Sequence, residues 1–192
     1  DGRRLFIGWM SIWQYAQQVP TEVWRSAMTV PRALALIEAD GQYSLHSQPI
    51  KELNQLRKSS EKVKASKFDL KSDIVELECY TGSGDFKLVF SNDKNEEVVL
   101  EKKGDQIIFD RTKSGITTFN ENFPKVHTSP AEGIDIKNIR IFLDRSSMEI
   151  FFNEGALVLT ELVFPTVPYS TVETQGLGDD VTIHQLKSIW NQ

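Results

Sequence analysis

Residues 139–155 read Ile139-Arg140-Ile141-Phe142-Leu143-Asp144-Arg145-Ser146-Ser147-Met148-Glu149-Ile150-Phe151-Phe152-Asn153-Glu154-Gly155. Ile139, Ile141 and Leu143 fall on one side of an extended chain. After a turn, Met148, Ile150 and Phe152 do the same. Side chains alternate across a strand, so a period of two marks two β-strands, each with one face toward a core. Asp144-Arg145-Ser146 is the turn between them, with Asp and Ser side chains able to bond nearby backbone amides. Asn153-Glu154-Gly155 is a hairpin loop in which Gly155 can take a left-handed conformation. Leu157–Phe164 reads as the next strand, stopped by Pro165.

The same pattern extends toward both ends. Ile74–Thr81 places Val75, Leu77 and Cys79 on one side and Glu76 and Glu78 on the other, as in a half-buried antiparallel strand. Phe86–Ser91, Val98–Leu100, Ile107–Asp110 and Val181–Trp190 read as further strands. Short strands with turn signals between them predict an all-β chain built on a two-sheet antiparallel β-sandwich. Ala33–Ile37 and Tyr43–Leu45 form a small hairpin about the Asp40-Gly41 turn. Pro49 to Arg57 reads as a connector, with a helical turn over Glu52–Arg57. Ser59–Lys67 is polar and is expected to cross the surface.

The first part of the chain has a different texture. Three of the four Trp (Trp9, Trp13, Trp24) precede residue 38, with strand-like runs at Leu5–Trp9 and Ala27–Val30. So short an aromatic-rich segment cannot bury its own apolar surface. The chain also opens on an Asp1-Gly2 turn signal followed at once by a buried-type strand. The expectation is therefore that it is cut from something longer, and a missing leader says nothing about compartment.

Composition excludes several function classes. The formal net charge of −5 and the lack of clustered cations argue against nucleic-acid binding. No apolar run approaches the ~18 residues of a membrane span. A single cysteine excludes an internal disulfide and a Cys-based zinc cage. His46, His127 and His184 lack metal-ligand spacing, so no metal or cofactor is expected. Gly82-Ser83-Gly84-Asp85 and Gly176-Leu177-Gly178 read as loops rather than a nucleophile elbow or a dinucleotide site. Asp179-Asp180 reads as a solvated acidic pair. Cys79, on the apolar side of its strand with no adjacent cation, reads as a buried inert thiol. The most chemical feature is the cluster Trp9, Trp13 and Tyr15. Exposed aromatics stack on the apolar C–H faces of sugars, and the same residues also suit the core of a sheet. The residues alone leave both readings open.

An ordered string of residues carries a resemblance. Gly8-Trp9-Met10-Ser11-Ile12-Trp13-Gln14-Tyr15-Ala16, Pro20-Thr21, Trp24-Arg25 and Met28-Thr29-Val30-Pro31-Arg32 resemble the last blade of the catalytic propeller in glycoside hydrolase family 32, the invertase, inulinase and levanase family. Phe109-Asp110-Arg111-Thr112, Ile141 to Gly155 and Thr160 to Pro165 resemble that family's C-terminal sandwich. The resemblance spans nearly the whole chain. It implies a lectin-like sandwich preceded by the last part of a five-bladed β-propeller. Residues 1–47 would be the propeller end, 48–60 a linker and 61–192 the sandwich.

The family cleaves β-fructosidic bonds with retention, using an aspartate nucleophile, a glutamate acid/base and a further fructose-binding aspartate. All three come from earlier blades, so no catalytic residue is expected in this chain, which alone would be inactive. Glu78-Cys79 and Asp144-Arg145-Ser146 match the family's catalytic pairs only superficially. The first lies in a sandwich strand, with Glu78 on its polar side, and the second in a turn. The resemblance assigns substrate binding to Trp9 first and Trp13 second. Ser26 stands where Gly is usual and Ile12 where Asn is usual, and the polar group lost at Ile12 near the implied pocket points to altered specificity or a degenerate enzyme. The implied substrate is a fructan or sucrose-type carbohydrate, with sucrose, inulin and levan left open. The implied partner is the missing propeller portion, on the same polypeptide or on a second chain, and the implied compartment is extracellular or periplasmic. The sandwich would mainly buttress the propeller. The alternative is a carbohydrate-binding or oligomerisation module without catalysis of its own.

Overall fold

The computed structural model describes residues 1–82 and 84–189. Ser83, within the run read as a loop at 82–85, and Trp190, the last residue of the run read as a strand from Val181, lie outside the described residues, as does the side chain of Asp179. Three strands lie near the N-terminus: β1 (Arg4–Phe6), β2 (Arg32–Ala39) and β3 (Gln42–Pro49). A 3-10 turn over Lys51–Leu56 leads into β4 (Arg57–Val63), β5 (Lys67–Asp69), β6 (Val75–Thr81) and β7 (Phe86–Ser91). Next come β8 (Glu97–Lys103), β9 (Gln106–Lys113), β10 (Val126–Pro130), β11 (Asn138–Asp144) and β12 (Ser147–Phe152). A short 3-10 turn at Asn153–Gly155 separates β12 from β13 (Leu157–Leu162), and β14 (Thr171–Gln175) and β15 (Leu177–Leu186) close the chain.

Two six-stranded antiparallel sheets, ordered β10-β9-β8-β7-β14-β5 and β13-β12-β11-β6-β15-β4, make the sandwich. The alternation read at 139–152 is what packs it. Ile139, Ile141, Leu143, Met148, Ile150 and Phe152 all lie in the core between the sheets, with Val75, Leu77 and Cys79 from β6. Facing them are Phe86, Leu88, Phe90, Ile107 and Phe109 of the other sheet. Burial drives the Cys79 thiol up to about 12, which leaves it a packed, inert group.

Several local expectations change. Ser59–Lys67 does not simply cross the surface: β4 takes in residues 57–63 and pairs with β15 as an edge strand. Its polar, charge-rich sequence suits an edge, where one row of backbone groups meets water. Ala27–Val30 forms no strand, only a bridge between Trp9 and Met28 with flanking bonds such as Thr29 N to the Gly8 carbonyl. At the β2–β3 turn, Asp40 and Gly41 both take positive φ (51° and 74°), the conformation that two-residue hairpins require.

The first three strands form a separate sheet, β1-β2-β3. It meets the sandwich closely at Gly155, where a side chain would bring a Cβ to 2.3 Å from the Ser47 carbonyl oxygen. Its other surfaces are strongly apolar. Leu5, Ile7, Leu36, Tyr43 and Leu45 are all exposed, whereas the sandwich exposes few large apolar residues. A three-stranded sheet with such surfaces needs a further partner to bury them.

Candidate functional site

Arg111 determines the geometry at one open edge of the sandwich. It follows Ile107 and Phe109 on the inward face of β9, yet it is charged and only 2% exposed. A buried guanidinium needs its donors filled. Nε donates to the Phe123 carbonyl at 2.9 Å, Nη1 to Glu161 Oε2 and to the Leu162 carbonyl, both at 3.2 Å, and Nη2 to the Tyr15 hydroxyl at 3.2 Å. Its plane lies 4.2 Å from the Phe123 ring centroid. Glu161 also accepts from His127 Nδ1 at 2.8 Å. The cluster therefore joins the two sheets and fastens the loop carrying Tyr15 onto them. Met10, Tyr15, Val19, Phe123, Leu162 and Phe164 build a second small core around it.

A pocket of about 410 Å³ opens at this seam, between loop residues 9–15 and Arg111, Asn122, Lys125, His127 and Glu161. Trp9 lines it and Trp13 does not. Trp13 is 85% exposed and stands against Trp9, ring centroids 5.0 Å apart and tilted by 56°. Of the three aromatics that the sequence leaves ambiguous, Tyr15 is core, while Trp9 and Trp13 present faces to solvent. Ile12 lies on the pocket wall, and Ser26 has φ +66°, a conformation glycine takes without strain.

Glu76 and Glu78 show a different outcome from their alternation. Their side of β6 is not a free polar face: Glu76 is fully buried beneath Arg57 and Arg140. Glu78 accepts from Arg57 at 2.5 Å and sits 3.3 Å from His184 Nε2. Burial is the largest influence on the Glu78 carboxyl and acts to raise its pKa. The hydrogen bonds and charges of Arg57 and His184 outweigh it and hold the group below its ordinary range. A glycosidase acid needs the opposite shift, so the surroundings of Glu78 favour an ion-paired carboxylate over a proton donor. Because its folded-state pKa lies below the unfolded value, its stabilisation is present above pH 4.5 and lost as pH falls through the folded value. Glu78→Gln is accordingly expected to flatten part of the acid limb of stability, as read by urea unfolding over descending pH. An unchanged limb would contradict this.

A third contact locks the N-terminal sheet to the outer face of β12 and β13. Glu149, 2% exposed, accepts from the Val30 amide at 2.7 Å and from Arg32 Nη2 at 2.5 Å. Arg32 also donates to Thr160 Oγ1 at 2.7 Å and lies 5.0 Å from the Phe151 ring centroid. Nothing in the alternation of Glu149 with Ile150 distinguishes this buried acid from a solvated one. Among the described residues, no group of three or more His, Cys, Asp or Glu side chains is placed to hold a metal ion.

Comparison with known proteins decides the family. The profile described as glycosyl hydrolases family 32 C terminal matches residues 39–189, and the family 32 N-terminal domain matches residues 1–49. The chain belongs to glycosyl hydrolase family 32. A levanase of Bacillus subtilis is 34% identical over 99% of this family 32 chain and 32% of its own length. An extracellular exo-inulinase of Aspergillus ficuum is 30% identical over 96% of this chain and 39% of its own. The crystal structure of an exo-inulinase from Aspergillus awamori superposes with a TM-score of 0.79 at 28% identity, covering 97% of this chain and 41% of that one. The family 32 chain thus spans about a third of the length of the curated relatives it matches.

Proposed function

We propose that this chain is the C-terminal part of a retaining glycosidase that hydrolyses β-fructosidic bonds in fructans or sucrose, with the sandwich acting mainly as a buttress. The observation that carries the reading is the seam. A family 32 sequence places an exposed Trp9 at the mouth of a pocket and fastens its loop to the sandwich through buried Arg111. Trp9 offers a flat apolar face to the C–H surface of a sugar, and Trp13 extends that wall. The nucleophile and the acid/base come from blades outside this chain, because Glu76, Glu78, Glu149 and Glu161 are all committed to arginines. The rest of the propeller is the partner that covers the apolar surfaces of the β1–β3 sheet. The extracellular relative supports a secreted or periplasmic setting for the enzyme.

The test is kinetic. In the enzyme carrying all its blades, Trp9→Ala is expected to lower kcat/KM on the preferred fructoside by about 10–100-fold. That matches the ~1.5–3 kcal/mol lost when a large apolar contact is removed, at about 1.36 kcal/mol per tenfold. The 192-residue chain alone is expected to release no fructose from inulin, levan or sucrose. Turnover by the isolated chain would sink the assignment of its carboxylates as structural. Full activity of the Trp9 variant would remove the tryptophan from the site.

A further inference from the structure

The backbone that presents Trp9 is held by residues 27–30, and those are held by the sandwich. The Thr29 amide donates to the Gly8 carbonyl and the Gly8 amide donates to Thr29 Oγ1, each at 2.9 Å. Trp9 itself pairs with Met28 in an antiparallel bridge, and the Met10 amide donates to the Ala27 carbonyl at 2.9 Å. Arg111 fixes the far end of this loop at Tyr15 and leaves Gly8 and Trp9 to Thr29 and Met28. The segment 27–30 lies outside the named strands, and its own anchor is Glu149 on β12. One carboxylate oxygen accepts from the Val30 amide, next to Thr29, and the other from Arg32. Phe6 closes the arrangement. Its ring lies 2.9 Å from where a Cβ on Gly8 would stand, and the Arg32 guanidinium is 6.0 Å from its centroid.

The ion pair suits placement better than stability. Arg32 Nε is shielded from solvent and bonds to none of the described residues, a penalty that an apolar pair would avoid. A buried carboxylate with both oxygens engaged cannot turn, so it fixes Val30 at one point. Hydrogen-bonded backbone then passes any shift of Val30 to Thr29, Gly8 and the Trp9 indole. We propose that Glu149 is a positioning residue for the sugar contact, acting through Val30, Thr29 and Gly8 to set where Trp9 stands. This role rests on the β-fructoside reading of Trp9, and it makes the sandwich a determinant of substrate contact rather than a passive support.

The test is a double-mutant cycle in the enzyme carrying all its blades. Glu149→Ala and Thr29→Val are each made with Trp9 present and in a Trp9→Ala background, and kcat and KM are measured on the preferred fructoside. With Trp9 present, each is expected to lower kcat/KM by about 3–10-fold, because a contact displaced by a fraction of an ångström is only partly lost. The loss should fall mainly on KM, as for a contact made equally in ground and transition states. With Trp9 already removed, each should change kcat/KM by less than about twofold. Thr29→Ser, which keeps the hydroxyl, should restore the wild-type value. If Glu149→Ala does not fold, Thr29→Val, which disturbs no charge, carries the cycle. Equal losses in both backgrounds would mean a purely structural role and overturn the positioning while leaving the proposed function standing. So would unchanged kinetics in Glu149→Ala and Thr29→Val beside a damaged Trp9→Ala. If Trp9→Ala itself is fully active, the sugar contact falls, and the positioning of a substrate residue falls with it.

Discussion

Replacing Arg111 by methionine is expected to cost the chain about 3–5 kcal/mol of unfolding free energy, the usual penalty for removing one partner of a buried ion pair. Methionine fills much of the space but supplies no donors. Glu161, buried on the inner face of β13, would keep only the half-exposed His127. The Phe123 and Leu162 carbonyls and the Tyr15 hydroxyl would each lose a donor. Against the ~5–15 kcal/mol that holds a typical domain folded, such a loss is large. Arg111→Lys should recover less than half of it, because one ammonium cannot span four acceptors set out for a planar fork. Equilibrium urea unfolding measures both variants. Hydrogen exchange at residues 9–16 should show the Tyr15 loop released first. A loss below about 1 kcal/mol would mean that the aromatic cluster, not the guanidinium, holds this edge.

Glu149→Ala should be comparably damaging, by about 3–5 kcal/mol, and its effect should fall on the N-terminal sheet. The substitution strands Arg32 at 6% exposure and leaves the Val30 amide without its acceptor. Burial already acts to raise the Glu149 pKa, opposed by Arg32 and by the Val30 amide. The pair is therefore costly to break rather than a large source of net stability. It follows that replacing both Arg32 and Glu149 by leucine should be less destabilising than Glu149→Ala alone. The double variant tests that sign directly. If it proves worse than the single one, the charge pair contributes net stability beyond its geometry. Protection of the Val30 amide from exchange should vanish in Glu149→Ala and in the double variant alike.

Much of the architecture was legible before any coordinates. The alternation at Ile139–Leu143 and Met148–Phe152, the turn at Asp40-Gly41 and the loop ending at Gly155 all depend on periods and dihedral preferences that act over a few residues. What the same patterns misread were the faces away from the core. Glu76 and Glu149 look like the water-facing half of an amphipathic strand, because an acid's partner is invisible when it lies 19 to 119 residues away. The polar run at Ser59–Lys67 was misread for a related reason. An edge strand can be stabilised by pairing on one side with little apolar burial, which leaves no hydrophobic period to detect.

The sequence by itself determined the all-β class, the inward-facing residues of the sandwich and the family. It also singled out Trp9 and Trp13, since their order among Gly8, Met10, Gln14 and Tyr15 is a local property of the chain. Only the tertiary structure decided that Tyr15 is core while Trp13 stands in solvent. It alone showed that Arg111, Glu161 and His127 meet across two sheets, and that a pocket opens beside them. The physical reason is one of range. Strand periodicity is set by the covalent geometry of neighbouring residues, whereas the partner of a buried charge is set by which distant segments close around it.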